Sequence, residues 1–266
     1  MVDQARPLPA VPPRWCGQLA VAAALELLLL AVLRGGTGLG AAGLVAGVVH
    51  ALVLWAILAV ALRRAGRDAL GPADLVTLAR AVLAGGVTAL VAGQSRSGAV
   101  LVALAAVALV LDGVDGRVAR STGTVTPEGA RFDMEVDAFL ILVLSVRAAF
   151  VLGVWVLAIG LMRYAYVAAG RVLPWLRGAV PVSYARKVVA AIQGIVLTVA
   201  CAGVVSTAFL GYAVAVALLL LVWSFGRDVV WLYKRRGNGT DRSRLLGHVP
   251  RQGRDPGRLA ARARLR

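Results

Sequence analysis

Apolar runs of roughly twenty residues follow one another along this chain, each closed by a short break rich in Arg, Gly or Pro. A helix needs about 20 apolar residues to cross a bilayer, whereas barrel strands would alternate in much shorter segments. The pattern therefore predicts an all-α membrane protein. Spans are expected from Trp15 to about Leu33, Leu39 to Leu62, Ala73 to Ala92, Gly98 to near Asp112, Thr126 to Ser145, Phe150 to Ala169, Val188 to Val205 and Phe209 to Trp231. About eight spans return both termini to one side. The basic breaks at 63–67, 117–131, 171–187 and 234–266 all fall on that side, which makes it cytoplasmic by the positive-inside rule. The expected location is the cell membrane.

Local signals divide this chain further. Residues 1–14 carry Pro7, Pro9, Pro12 and Pro13 and are expected to be disordered or extended. A cleavable signal peptide competes for the first run, but that run is long, contains Glu26 and lacks a small-x-small cleavage site, so it is read as a retained span. Residues 15–66 then hold two helices ahead of a core at 67–233. Gly71-Pro72 breaks the chain, and the helix beyond it has Asp74 in its first turn. Thr126-Pro127-Glu128 reads as cap, first-turn proline and first-turn acid. From Lys234 to Arg266 eleven Arg or Lys face two acids, which predicts a flexible cytoplasmic tail on anionic lipid.

Composition agrees with this reading. A chain of 266 residues, 60% hydrophobic and with mean hydropathy +0.81, lacks the polar surface of a soluble domain. The net charge of +16 could in isolation suggest nucleic acid, but the basic residues sit between and after the apolar runs with few aromatics among them. Lipid anchoring explains them, and no nucleic-acid partner is expected. Cys16 and Cys201 lie in apolar segments without metal-ligand spacing, and neither His50 nor His248 reads as a ligand.

Four acids break the apolar pattern. Asp112 and Asp115 share one helix face with Gly116 and Ala119, and Gly129, Asp133 and Asp137 share a face of the next helix. A single Asp at the end of an apolar run is usually a cap or an interfacial residue. Four are different, because a carboxylate near the bilayer centre costs roughly 2.5–3.5 kcal/mol and like charges repel. Something positive must sit among them. An oxygen-only, acid-rich set suits Mg²⁺, Mn²⁺ or Ca²⁺, and four carboxylates are enough for two ions.

The run Asp-x₂-Asp-Gly-x₂-Ala-Arg-x₈-Gly-x₃-Asp-x₃-Asp, from Asp112 through Gly116, Ala119, Arg120 and Gly129 to Asp137, resembles the signature of the CDP-alcohol phosphotransferase family at every fixed position. The resemblance implies a six-helix transmembrane bundle over about Ala73 to Tyr233, with residues 15–62 as two added helices for packing or partner binding. It implies phospholipid biosynthesis: a substituted phosphoryl group passes from a CDP-linked donor, expected to be CDP-diacylglycerol, to an alcohol with release of CMP. It further implies two divalent ions, Mg²⁺ or Mn²⁺, on Asp112, Asp115 and Asp133, with Asp137 completing the cluster as the base. Gly116, Ala119 and Arg120 would line the cytidine diphosphate site, with Thr77 and Asp74 closing it. Thr77 and Arg80 match residues that commonly precede the family's first core helix, and Asp74 stands where an Asn is common. Family members are commonly homodimers.

Arg163 lies inside an expected span, where an arginine faces a partner or a wet cavity or else snorkels to the interface. With Arg186 and Lys187 it could form a basic pocket for a phosphorylated acceptor such as glycerol phosphate or inositol phosphate; the alternative is that Arg186 and Lys187 anchor a helix end to lipid. Lys187 and Gln193 resemble residues of a basic motif found in several branches of the family. The competing function class is a cation or proton transporter using intramembrane acids, or a structural protein with a degenerate site. The acids lie near a basic loop and no internal repeat is apparent, which favours the enzyme.

Overall fold

A computed structural model describes residues 13–246 except 96, 123–125, 179 and 182, with side chains described outside 115–122 and 237–246. Eight α-helices and no strand are present among the described residues: α1 (Arg14–Thr37), α2 (Ala41–Arg64), α3 (Pro72–Ala92), α4 (Gly98–Thr122), α5 (Pro127–Leu152), α6 (Leu157–Val172), α7 (Tyr184–Ala202) and α8 (Thr207–Leu246). The chain is an integral membrane helical bundle. Of its helices α1, α2, α3, α7 and the Thr207–Arg236 part of α8 are long and apolar enough to cross a membrane.

The remaining three helices differ from the uniform spans expected, for identifiable reasons. Helix α4 is apolar from Gly98 onward and carries Asp112 near the end of its stretch with described side chains, Gly98–Val114. The first turns of α5 hold Glu128, Arg131, Asp133, Glu135 and Asp137, so its apolar stretch is the second half, and the helix runs on to Leu152. With 16 residues, α6 is about 24 Å long, short of a 30 Å hydrocarbon core. A single 3₁₀ turn, Val154–Val156, joins it to α5. At the other end of the chain, the basic segment after Lys234 does not begin as a flexible tail: α8 continues through it to Leu246. The expected disordered start and the rest of the tail, His248 included, fall outside the described residues.

Helix α3 is the centre of the bundle. It packs against α1, α2, α4 and α5, and 67% of its apolar stretch is buried against 17% for α2. Behind it α4 meets α7, α5 meets α6 and α7, and α7 meets α8. The main core runs through Leu90, Val87, Leu101, Ala105, Leu140, Leu144, Leu197 and Val214, all essentially inaccessible. The outward Val21, Leu28 and Val32 of α1 and Val45, Leu52 and Val60 of α2 remain exposed, as a lipid-facing surface requires.

A polar contact docks the α1–α2 hairpin. Glu26 of α1, fully buried, meets His50 of α2 at 2.7 Å (Oε1 to Nδ1), and the His50 ring stacks on Phe139 of α5 at 5.0 Å. Gly85 of α3 makes room for the pair: a Cβ there would lie 2.0 Å from Glu26 Oε1 and 2.7 Å from His50 Nδ1. Gly85→Ala is therefore expected to destabilise the protein by about 1–3 kcal/mol through overpacking, read as a lower unfolding midpoint in detergent. Adding Glu26→Ala should recover part of the loss, because it removes the atom the new methyl meets. Independent, additive effects of the two changes would show that the helices dock elsewhere.

Candidate active site

The site forms where the start of α3, the end of α4 and the start of α5 meet. At the N-terminus of α3, Gly71 and Pro72 stop the preceding loop, and Asp74 Oδ2 accepts hydrogen bonds from the Gly71 N–H (3.1 Å) and from Arg67 Nη2 (2.6 Å). On α5, Thr126 caps the helix through an acceptor bond from the Gly129 N–H (3.0 Å), as Thr before Pro-Glu predicts. Gly129 is also where Asp74 rests. A Cβ at that position would lie 2.4 Å from Asp74 Oδ1, so a side chain there would separate α3 from α5.

Arg80 enters between these helices from α3. Its side chain is fully buried, and its Nε donates to the Ala108 carbonyl of α4 at 3.1 Å. Nη1 pairs with Asp112 Oδ1 at 3.1 Å and with Asp133 Oδ1, while Nη2 pairs with Asp137 Oδ1. The guanidinium is thus a hub, and its planar fork suits several carboxylates at once. Part of the positive charge demanded by the acids is supplied by the protein, a point the spacing of the acids alone did not show.

The carboxylate oxygens of Asp112, Asp133 and Asp137 lie within 4.8 Å of one another. Three carboxylates against one guanidinium leave two negative charges, the charge of one divalent ion. Their side chains keep 44%, 32% and 41% of their surface exposed, so a cation can reach them. Oxygen-only ligands, excess negative charge and access together fit a hard divalent metal. Asp115, Gly116, Ala119 and Arg120 continue α4 beyond Asp112; their side chains fall outside those described. Thr77, buried one turn before Arg80, has its Oγ1 within 3.2 Å of the Ala73 carbonyl.

A model of the CDP-alcohol phosphatidyltransferase family matches residues 70–223, more than half of the chain. The chain belongs to that family. It is accordingly an enzyme of phospholipid biosynthesis that transfers a substituted phosphate group from a CDP-alcohol donor to an alcohol acceptor, and the transporter and structural readings fall away. Comparison with curated proteins and with solved structures gives no match. Within the family region the acid cluster lies at the end of the bundle that carries Asp74 and Thr77; α1 and α2 lie outside the matched residues.

The three cations expected in an acceptor pocket each have their own surroundings. Arg163 of α6 pairs with Glu135, which lies between Asp133 and Asp137 in α5, and its buried Nε has no partner among the described residues. Arg186, in the first turn of α7, pairs with Asp228 of α8 at 3.0 Å and also donates to the Pro181 carbonyl. Lys187 is exposed. Asp228 also faces Arg227 at 3.8 Å, and Arg227 donates to Ser183 Oγ at 2.9 Å. Glu135, Asp228 and Arg227 were not singled out by the sequence pattern. The available signal was the rule already applied to Arg163, that a charge in an apolar helix implies an opposite charge on a neighbour.

Proposed function

We propose that this family member transfers the phosphatidyl group of CDP-diacylglycerol to a phosphorylated alcohol, glycerol phosphate or inositol phosphate, with Mg²⁺ or Mn²⁺ as the metal. The observation that carries this is the meeting of Asp112, Asp133 and Asp137 at one end of a lipid-embedded bundle. A site at that level suits a donor with a polar diphosphate and apolar tails. In this reading two ions are held by Asp112, Asp115 and Asp133, with Asp137 completing the cluster. Bound there, they would neutralise the diphosphate and the departing CMP.

The chain's own groups then have defined tasks. Gly116, Ala119, Arg120, Thr77 and Asp74 hold the cytidine diphosphate. Asp137 keeps Oδ1 on Arg80, leaving Oδ2 to take the acceptor hydroxyl proton. The acceptor oxygen bonds to the phosphatidyl phosphorus as the bond from that phosphorus to the CMP oxygen breaks. Arg163, Arg186 and Lys187 bind the acceptor phosphate, and the unpartnered, buried Nε of Arg163 is a donor available for it. The site and both termini face the cytoplasm, the basic tail lies on anionic lipid, and the protein is a homodimer in the cell membrane.

The test is CMP release by purified protein given CDP-diacylglycerol with glycerol phosphate, inositol phosphate or a neutral alcohol. One of the phosphorylated acceptors should support turnover best. Arg163→Ala and Lys187→Ala should each raise its KM about tenfold or more while leaving the donor KM nearly unchanged, since a charge-assisted contact is worth roughly 1.5–3 kcal/mol. Preference for the neutral alcohol, or wild-type KM values in both variants, would reduce these residues to lipid anchors. No CMP from any acceptor would remove the CDP-diacylglycerol assignment.

A further inference from the structure

Outside the acid site, a groove of about 870 Å³ opens between α1 and α3. Gly17, Val21 and Leu25 of α1 form one wall, and Leu75, Ala79 and Leu83 of α3 form the other. This is not the reaction site. Ala79 is two residues from Thr77, about 200° round the helix at 3.6 residues per turn, so the groove's side of α3 turns away from Thr77, and Arg80 is not among the residues lining it. One wall also belongs to a helix outside the family match.

The shape and the charge of this groove specify one occupant. From Arg14 to Leu25 it runs about 16 Å along α1, at 1.5 Å per residue, close to the roughly 15 Å of one leaflet's hydrocarbon. Its walls are apolar through most of that length, and Val21 and Leu25 are exposed. Its polar end lies at the membrane face that carries the acid cluster. There Gln18 exchanges two hydrogen bonds with the backbone of Leu70, 3.2 Å to the carbonyl and 2.8 Å from the N–H, which fixes the loop to α1. Arg14 lines this mouth and has no carboxylate partner among the described residues. Arg63, stacked over Trp15 at 5.8 Å, and Arg64 add positive charge beside this mouth, where Asp68 lies in the loop ahead of α3 and Asp74 is already paired with Arg67.

We propose that this groove binds an anionic phospholipid, with one acyl chain lying between α1 and α3 and the headgroup phosphate on Arg14. The lipid completes the packing of the added hairpin against the family core, at a site separate from the donor's. A polar headgroup at the interface and an unbranched chain along the groove satisfy both ends at once. Space remains at Gly17, where a Cβ would meet nothing within 4 Å, so the groove can be filled there without disturbing the protein.

The full chain reconstituted in phosphatidylcholine vesicles containing a minor share of phosphatidylglycerol provides the test. Spin-labelled phosphatidylglycerol and spin-labelled phosphatidylcholine report the lipid held immobile on the protein. Wild type should hold phosphatidylglycerol in preference. Arg14→Gln should reduce that preference roughly tenfold, as loss of one charge-assisted phosphate contact implies. Gly17→Phe should displace the immobile phosphatidylglycerol while the unfolding midpoint stays at the wild-type value. Unchanged retention in both variants would overturn the proposal, as would a Gly17→Phe variant whose cross-linking pattern shifts to monomer, which would make the groove an interface between two copies. Neither readout requires catalysis, so failure here and failure of the CDP-diacylglycerol assignment are distinguishable.

Discussion

Replacing Arg80 by Met should abolish CMP release and also lower the stability of the protein. The guanidinium is fully buried and bound to Asp112, Asp133 and Asp137, so its loss leaves three neighbouring carboxylates without their internal counter-charge. Breaking a buried ion pair from one side costs about 3–5 kcal/mol. The lower end applies here, because each carboxylate keeps about a third or more of its surface exposed. Differential scanning in detergent should show a clear fall in the unfolding midpoint. Millimolar divalent cation should restore part of it, since an ion that binds only the folded acids stabilises by mass action. Arg80→Lys keeps the charge but loses the fork, so its stability should fall between wild type and Arg80→Met. An Arg80→Met protein of wild-type stability would show that the acids do not depend on this residue.

Asp133→Asn and Asp112→Asn should separate activity from stability. Each removes a ligand from the carboxylate group and, with it, charge that the reaction needs at the phosphates. Loss of one preorganised electrostatic contact in a transition state costs about 2.7–4 kcal/mol, or 10²–10³ in rate, and loss of the ion itself costs more. Stability should move by only about 1 kcal/mol in either direction, because a lost contact to Arg80 is offset by reduced repulsion between the acids. The two sets of variants thus have different signatures. Arg80→Met loses both properties, whereas the Asp variants remain folded and become inactive. An Asn variant retaining full turnover would take that residue out of the metal site.

The sequence makes the acid site legible because its residues are local. Asp112 is on one helix and Asp133 and Asp137 on the next, and helical spacing alone puts each set on one face. The N-terminus of α5 is equally legible, since Thr126 and Pro127 act through their immediate neighbours. Long-range pairings are not. Arg80 lies 53 residues from Asp133 and 57 from Asp137, and which face of α3 turns toward them is decided by packing. Glu26 counted only as a polar interruption of the first run and His50 as an incidental histidine, yet the two meet because the hairpin sets their register and Gly85 leaves space. The basic residues after Lys234 signal an exit from the membrane, but charge at a helix end does not itself terminate a helix, and α8 continues to Leu246.

The central claim is that Asp112, Asp133 and Asp137 hold a divalent ion that transfer from a CDP-alcohol requires. It is tested most directly by following CMP release from CDP-diacylglycerol, with the best acceptor, as chelator is titrated against the purified protein and Mg²⁺ or Mn²⁺ is then restored. Activity should vanish in excess chelator and return with the metal in wild type, and should not return in Asp133→Asn. Full turnover in excess chelator would contradict the account.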